Sequence, residues 1–131
     1  MNSVQLLGNL ARDPEVRYTK TGRAVTTFTV AASNTYVDQN GETQEQTAFV
    51  NCVAWGKLGE AAGNLRKGSR CFVEGRISTR SYEAQDGTKR YVTEVVANFV
   101  GQALDTKMPA DEGYPFAEGL GNDSNFDTFQ G

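Results

Sequence analysis

"FVNCVAWGKLGEAAGNLRKGS", residues 49–69, contains the change of period that decides the fold. Phe49–Trp55 alternates as a strand does, with successive side chains on opposite faces. One face carries Val50, Cys52 and Ala54, and the other carries Phe49, Asn51, Val53 and Trp55. The small apolar set reads as a core face. The second face holds a Phe, the chain's one Trp, and an Asn between them. Such a face either packs against another layer or stacks on something that is not protein. After Trp55, Leu58, Ala61, Ala62 and Leu65 recur at helical intervals, and Gly68 suits a helix C-cap. The internal glycines Gly59 and Gly63 make this helix short and dependent on packing.

Upstream of this stretch the chain reads as strand. "VQLLGNL" opens it, and "ARDPEVRYTKTGR" follows with Pro14 and Gly22 as turn signals. "AVTTFTVAASNTY" is dense in Val, Thr and Phe, which favour strands. Asn40-Gly41 then marks a hairpin that leads back into the Phe49 strand. Downstream, "RCFVEGRISTRSY" and "RYVTEVVANFVGQAL" form two strands about a second hairpin at Asp86-Gly87. The order is three strands, a short helix and two strands, without internal repeats. Short strands with Gly-marked turns suggest a small barrel. Five strands with a helix between the third and fourth is the layout of the oligonucleotide/oligosaccharide-binding (OB) barrel, an all-β fold that binds with one face and its loops.

The formal net charge of −3 speaks against nucleic acid until its distribution is considered. Residues 105–131 hold six acids and one base, whereas residues 1–104 hold 12 bases and 10 acids. The expected division is a mildly basic binding domain over 1–104 and a disordered, acidic, Gly-rich tail over 105–131. No run is apolar enough to cross a bilayer. The N-terminal stretch lacks a charged n-region and an h-region, so no signal peptide is expected. Cys52 and Cys71 lie in separate strand-like runs and read as inert buried thiols in a reducing compartment.

Catalysis finds no support. The chain has no His, which removes the commonest general base. Neither a structural zinc set, nor an EF-hand spacing, nor a phosphate-binding loop is present, so no metal or cofactor is expected. Asp13 and Glu15 lie two apart, but Arg12, Arg17 and Pro14 make this a turn with local ion pairs.

Binding signals are stronger. In the strand after the helix, Phe72, Glu74, Arg76, Ser78, Arg80 and Tyr82 share one face, and Cys71, Val73, Gly75 and Ile77 share the other. Lys89, Arg90 and Tyr91 return on the far side of the hairpin, and Tyr36 stands at the base of the other hairpin. With Phe49 and Trp55, these interleave aromatics with cations. Single strands are bound this way, with cations tracking phosphates and rings stacking bases. A buried ring stabilises by a similar amount, so magnitude does not separate core from platform. Pattern assigns Phe28 to the core and favours the platform for Phe49 and Trp55. Phe72 and Phe99 fit either side, the core being the commoner place for such residues. Arg66-Lys67 reads as a helix-end cap.

"GNLARDPEVRY", "EQTAFVNCVAWGKLGEAAGNLRKGS" and "VEGRISTRSYEAQDGTKRYVTEVV" resemble the bacterial single-stranded DNA-binding protein (SSB) family, in its order and spacing, over residues 1–104. The resemblance implies an OB barrel assembled as a homotetramer. It also implies sequence-independent single-stranded DNA binding in replication, recombination and repair, in the bacterial cytoplasm with the nucleoid. The family's base-stacking rings fall on Tyr36, Phe49, Trp55 and Tyr82. Phosphate contacts are expected at Arg17, Arg76, Arg80, Lys89 and Arg90.

Two departures accompany the resemblance. Some members carry a His at a subunit interface where this chain has Val50. The family's acidic end, which recruits replication and repair proteins, closes on Pro-Phe. This chain reads "NFDTFQG" there, with Tyr114-Pro115-Phe116 inland. The alternative expectation is an OB-fold assembly subunit of a replication or primosome complex with weak nucleic-acid binding. An RNA-binding barrel would differ only in the sugar it recognises.

Overall fold

The computed structural model describes residues 1–104, so the expected tail over 105–131 lies outside the described residues. The elements are β1 (Val4–Leu10), β2 (Glu15–Tyr18), β3 (Ala24–Val37), β4 (Thr43–Trp55), α1 (Gly56–Ala62), β5 (Arg70–Glu83) and β6 (Lys89–Gln102). They form one sheet in the order β1-β5-β6-β4-β3-β2. A second pairing, of β1 Asn9 and Leu10 with β3 Ala31 and Val30, closes the sheet into a barrel. The five long strands and the helix thus take the OB arrangement. The short β2, read from sequence as part of a turn region, is an added strand along the edge of β3, from Glu15↔Thr27 to Tyr18↔Ala24.

Alternation predicts the core well. Leu10, Phe28, Val30, Cys52, Ala54, Cys71, Val73, Val95 and Ala97 fill the barrel, and Ala62 of α1 plugs one end. Val50, grouped by alternation with Cys52 and Ala54, is only half-buried where β4 leaves the barrel. Closure demands close backbone approach. A Cβ on Gly75 would run into the Val96 carbonyl oxygen, and one on Gly8 into that of Ala31. Beside Gly75 the ladder slips from Glu74↔Phe99 to Gly75↔Ala97, leaving Asn98 as an extra residue that bends β6.

The helix is shorter than its apolar spacing suggests. It enters at Gly56, whose φ of 66° turns the chain out of β4, and ends at Ala62 with Gly63 as C-cap. The expected C-cap at Gly68 is therefore corrected. Position 63 requires glycine because its bare Cα faces the Val16 side chain, where a Cβ would lie 2.5 Å from Cγ2. Leu65 packs on the core from the following turn, and Gly68 donates its N–H to Leu10 O at 2.8 Å. Thr26, fully buried, ties α1 down by donating its hydroxyl to Gly59 O at 2.6 Å. Asp13, from the "RDPEV" turn, accepts the Lys67 N–H at 2.8 Å.

β3–β4 and β5–β6 continue beyond the barrel as two hairpin arms. No residue of β3 or β4 between Ala31 and Val50 is buried. The loops share one design. Asp38 N–H donates to Glu42 O and Gly41 N–H to Asp38 O, with Gly41 at φ 80°. Ala84 N–H donates to Thr88 O and Gly87 N–H to Ala84 O, with Gly87 at φ 85°. These are three-residue loops with the glycine in the left-handed position.

Candidate nucleic-acid interface

Cross-strand partners in an antiparallel ladder share a face, so register sorts the predicted residues. Val25↔Trp55, Thr27↔Val53, Thr29↔Asn51 and Ala31↔Phe49 place Phe49 and Trp55 on the outer face of β4. Phe49 is 67% exposed and Trp55 38%. Six residue steps along the strand separate them by about 20 Å. Asn51 between them accepts a hydrogen bond from Thr29 Oγ1 at 2.9 Å, so that position stays polar and anchored.

On β5–β6, Arg76↔Val96, Ser78↔Glu94, Arg80↔Val92 and Tyr82↔Arg90 form the matching outer face. The two faces meet in a groove of about 730 Å³, lined among others by Arg23, Trp55, Arg76, Arg80, Glu94 and Asn98. Its floor includes Val53, which is 5% exposed although alternation places it on the outward side. The surrounding long side chains cover it.

The predicted residues divide accordingly. Trp55, Arg76 and Arg80 come together in the groove. Phe49, Tyr82 and Arg90 lie on the same face farther out along the arms, and Arg17↔Val25 puts Arg17 in one row with Trp55 across β2, β3 and β4. Tyr36↔Gln44 and Glu83↔Lys89 fall on the opposite faces of their arms. Tyr36 is exposed there, and Lys89 Nζ lies 5.9 Å from the ring centroid of Tyr91. Phe72 and Phe99, leaning to the core by sequence, are instead exposed and meet edge-to-face at 6.2 Å. The barrel interior is already filled by Val73 and Ala97, their alternation partners.

Several of the cations are already partnered. Arg80 Nε donates to Glu94 Oε1 at 2.7 Å, with Glu94 8% exposed and Arg80 more than half exposed. Arg17 pairs with Glu15 at 3.0 Å, and Arg90 reaches Asp86 at 4.0 Å. Sequence reasoning overlooked Glu94, although one acid amid the apolar run "VTEVVANF" was a signal for a buried ion pair. It also overlooked Arg23, whose guanidinium carbon lies 4.9 Å from the Trp55 ring centroid. No pattern announced Arg23, because the β2–β3 turn delivers it.

At the arm tips, Asp38 is held below its ordinary carboxylate range, chiefly by the Glu42 N–H, with help from Asn40 N–H and the Gln44 amide. Asp86 is lowered chiefly by the Thr88 hydroxyl and then by its N–H. Burial pushes the Cys52 thiol up to about 12 and raises Cys71 as well, so neither is poised as a nucleophile. Among the described residues no cluster of His, Cys, Asp and Glu could hold a metal ion.

Residues 1–103 match the model of the single-strand binding protein family. The chain is 49% identical over 114 residues to single-stranded DNA-binding protein 2 of Listeria monocytogenes, covering 86% of this chain and 69% of that one. It is 44% identical over 132 residues to a single-stranded DNA-binding protein of Bacillus anthracis, covering 95% and 75%. With a single-stranded DNA-binding protein of Neisseria meningitidis it shares 43% identity over 122 residues, covering 92% and 70%.

Proposed function

The chain belongs to the single-strand binding protein family, and we propose that it captures single-stranded DNA along the outer face of β3–β6, without sequence preference, in replication, recombination and repair. The observation that carries this reading is the groove itself. It joins an exposed indole to arginines on one face, with Phe49 exposed along the same strand. Rings take bases of any identity through their π-faces, and cations take the phosphates that every nucleotide carries. The role is binding rather than catalysis. Trp55 and Phe49 serve as stacking steps with Tyr82 on the neighbouring arm, and Tyr36 meets DNA that passes around the β3–β4 arm. Arg17, Arg76, Arg80 and Arg90 contact phosphates on the groove side, and Lys89 does so from the reverse of its arm.

Titration with poly(dT), followed by Trp55 fluorescence at several salt concentrations, tests this. Quenching that weakens as salt rises is expected, because bound phosphates release counterions. Absent quenching, or affinity indifferent to salt, would overturn it. Competition between matched DNA and RNA oligomers tests the sugar.

The active form in this reading is a homotetramer. Two separate apolar surfaces support it. Val4, Leu6, Val50 and Ile77 form one, beside the stretch of β1 that has no partner strand on its outer edge among the described residues. Leu7, Phe72 and Phe99 form the other, on the opposite face of the β1–β5–β6 sheet. A tetramer of dihedral symmetry needs two different self-complementary patches. Ile77→Glu and Phe72→Glu should each lower the assembly mass in solution, and a monomeric wild type would refute it. The acids of residues 105–131 dock replication and repair proteins in the same reading, supported by charge alone. Deleting them should leave oligonucleotide affinity intact and abolish such docking. Among the described residues no helix is long and apolar enough to cross a membrane; in this reading the protein acts in the cytoplasm with the nucleoid, where its DNA ligand lies.

A further inference from the structure

We infer that Arg23 is a further DNA-binding residue, held ready over Trp55 to take the phosphate beside the base that Trp55 stacks; the inference rests on the DNA-binding reading above. Arg23 sits in the groove, where its guanidinium carbon lies 4.9 Å from the Trp55 ring centroid. Among the described residues none of its five N–H donors is taken by a hydrogen bond, so they are open to an anion. Its main chain is fixed at both ends. Arg23 N–H donates to Thr19 Oγ1 at 3.1 Å, and Thr19 N–H donates to Arg23 O at 2.9 Å. Thr19 O also accepts the Gly22 N–H at 2.8 Å, closing the turn.

The contrast with the paired arginines points to a ligand. Arg17, Arg80 and Arg90 each face a carboxylate of this chain. Arg23, like Arg76, faces none among the described residues, and it alone of these arginines has its guanidinium placed over a ring. A cation that is positioned by a ring and not neutralised is preorganised for a phosphate. The Arg23–Trp55 pair therefore works as one step. The indole offers its uncovered face to a base, and the stacked guanidinium grips the backbone next to it. Arg23 also limits Trp55 to one stacked base, because the second face is occupied.

The test compares wild type with Arg23→Ala and Arg23→Lys, binding an oligo(dT) of about 15 nucleotides, long enough for one barrel. Fluorescence anisotropy of the labelled oligonucleotide is read from 50 to 200 mM salt. Arg23→Ala should bind more weakly, and the slope of log affinity against log salt should become shallower by about 0.7 for each lost phosphate contact. Its disadvantage then shrinks by about 2.6-fold across that salt range. Arg23→Lys should restore the slope without restoring the full affinity, since an ammonium neither stacks nor forks. In the free protein, Arg23→Ala should expose Trp55 to acrylamide quenching, a readout that needs no DNA. An unchanged slope in a folded Arg23→Ala protein would overturn the phosphate contact, and unchanged quenching would overturn the stack. Failure of wild type to bind at all would instead remove the DNA-binding reading, and this inference with it.

Discussion

Glu94→Gln is expected to make the protein a tighter and more salt-sensitive binder while making it less stable. In the folded chain Glu94 is buried at the groove and takes Arg80 Nε at 2.7 Å. Its negative charge offsets that of Arg80 where phosphates would lie. Glutamine keeps the shape and still accepts a hydrogen bond, but it removes the charge. Arg80 then meets its phosphate as a full cation rather than one half-neutralised by Glu94, and the counterion this adds to the exchange should steepen the slope of log affinity against log salt by up to about 0.7. Between 200 and 50 mM salt that is an advantage growing by about 2.6-fold. The same change weakens a charge-assisted bond to a neutral one, which costs about 1 kcal/mol. The Arg80 end is mostly solvated, so the larger penalties of fully buried ion pairs do not apply. About 1 kcal/mol corresponds to a fall of roughly 4–8 °C in Tm for a domain of this size. Anisotropy with labelled oligo(dT) and thermal melts of both proteins provide the readouts. A variant with unchanged slope and no gain at low salt would refute the idea that Glu94 restrains Arg80.

Three further outcomes follow from the same structure. Trp55→Ala and Phe49→Ala should each weaken oligo(dT) binding by about 1–3 kcal/mol, the worth of one stacked base, with little change in salt slope; anisotropy titrations check this. Gly75→Ala should lower stability by at least about 1–3 kcal/mol, read as the urea midpoint, because its Cβ collides with the Val96 carbonyl and strand backbone cannot step aside cheaply. Burial pushes the Cys52 thiol up to about 12 from an ordinary value of 9.0. Its folded pKa is raised, so its contribution is intact below pH 9 and is lost as pH climbs towards 12. Chemical denaturation at stepped alkaline pH should show that decline, and both thiols should resist Ellman's reagent at pH 8 until the chain unfolds.

The barrel was legible because it is encoded locally. Strict alternation in "FVNCVAW" separates Cys52 and Ala54 from Phe49 and Trp55, and the structure keeps that separation. The shift to helical spacing at Leu58 marked the helix that plugs one end. What was illegible depends on register across the sheet. Arg80 and Glu94 are 14 residues apart and meet only because β5 and β6 pair as they do. Tyr36 and Phe49 look equivalent in sequence, yet the β3–β4 register turns them to opposite faces. Val53 looks outward by alternation and is covered by side chains from other strands. Phe72 and Phe99 leaned to the core by residue type, but a filled barrel had no room for them. Residue preference states that a ring avoids water; it does not state whether the shelter is this chain or another molecule.

The two arms set how the molecule can meet its ligand. Inside the barrel, close-packed side chains fix every strand. Beyond it, each arm is a two-stranded ribbon about 20 Å long, held by ladder hydrogen bonds and a glycine loop and without a core of its own. Segments with so little buried apolar surface open and bend at low cost. The protein thus resembles a hand with a stiff palm and pliant fingers. A rigid mould would favour the nucleotide sequences whose shape it matched. In the proposed reading, fingers that yield to any path let the palm's rings and arginines meet whatever order of bases arrives, so indifference to sequence becomes a mechanical property as well as a chemical one.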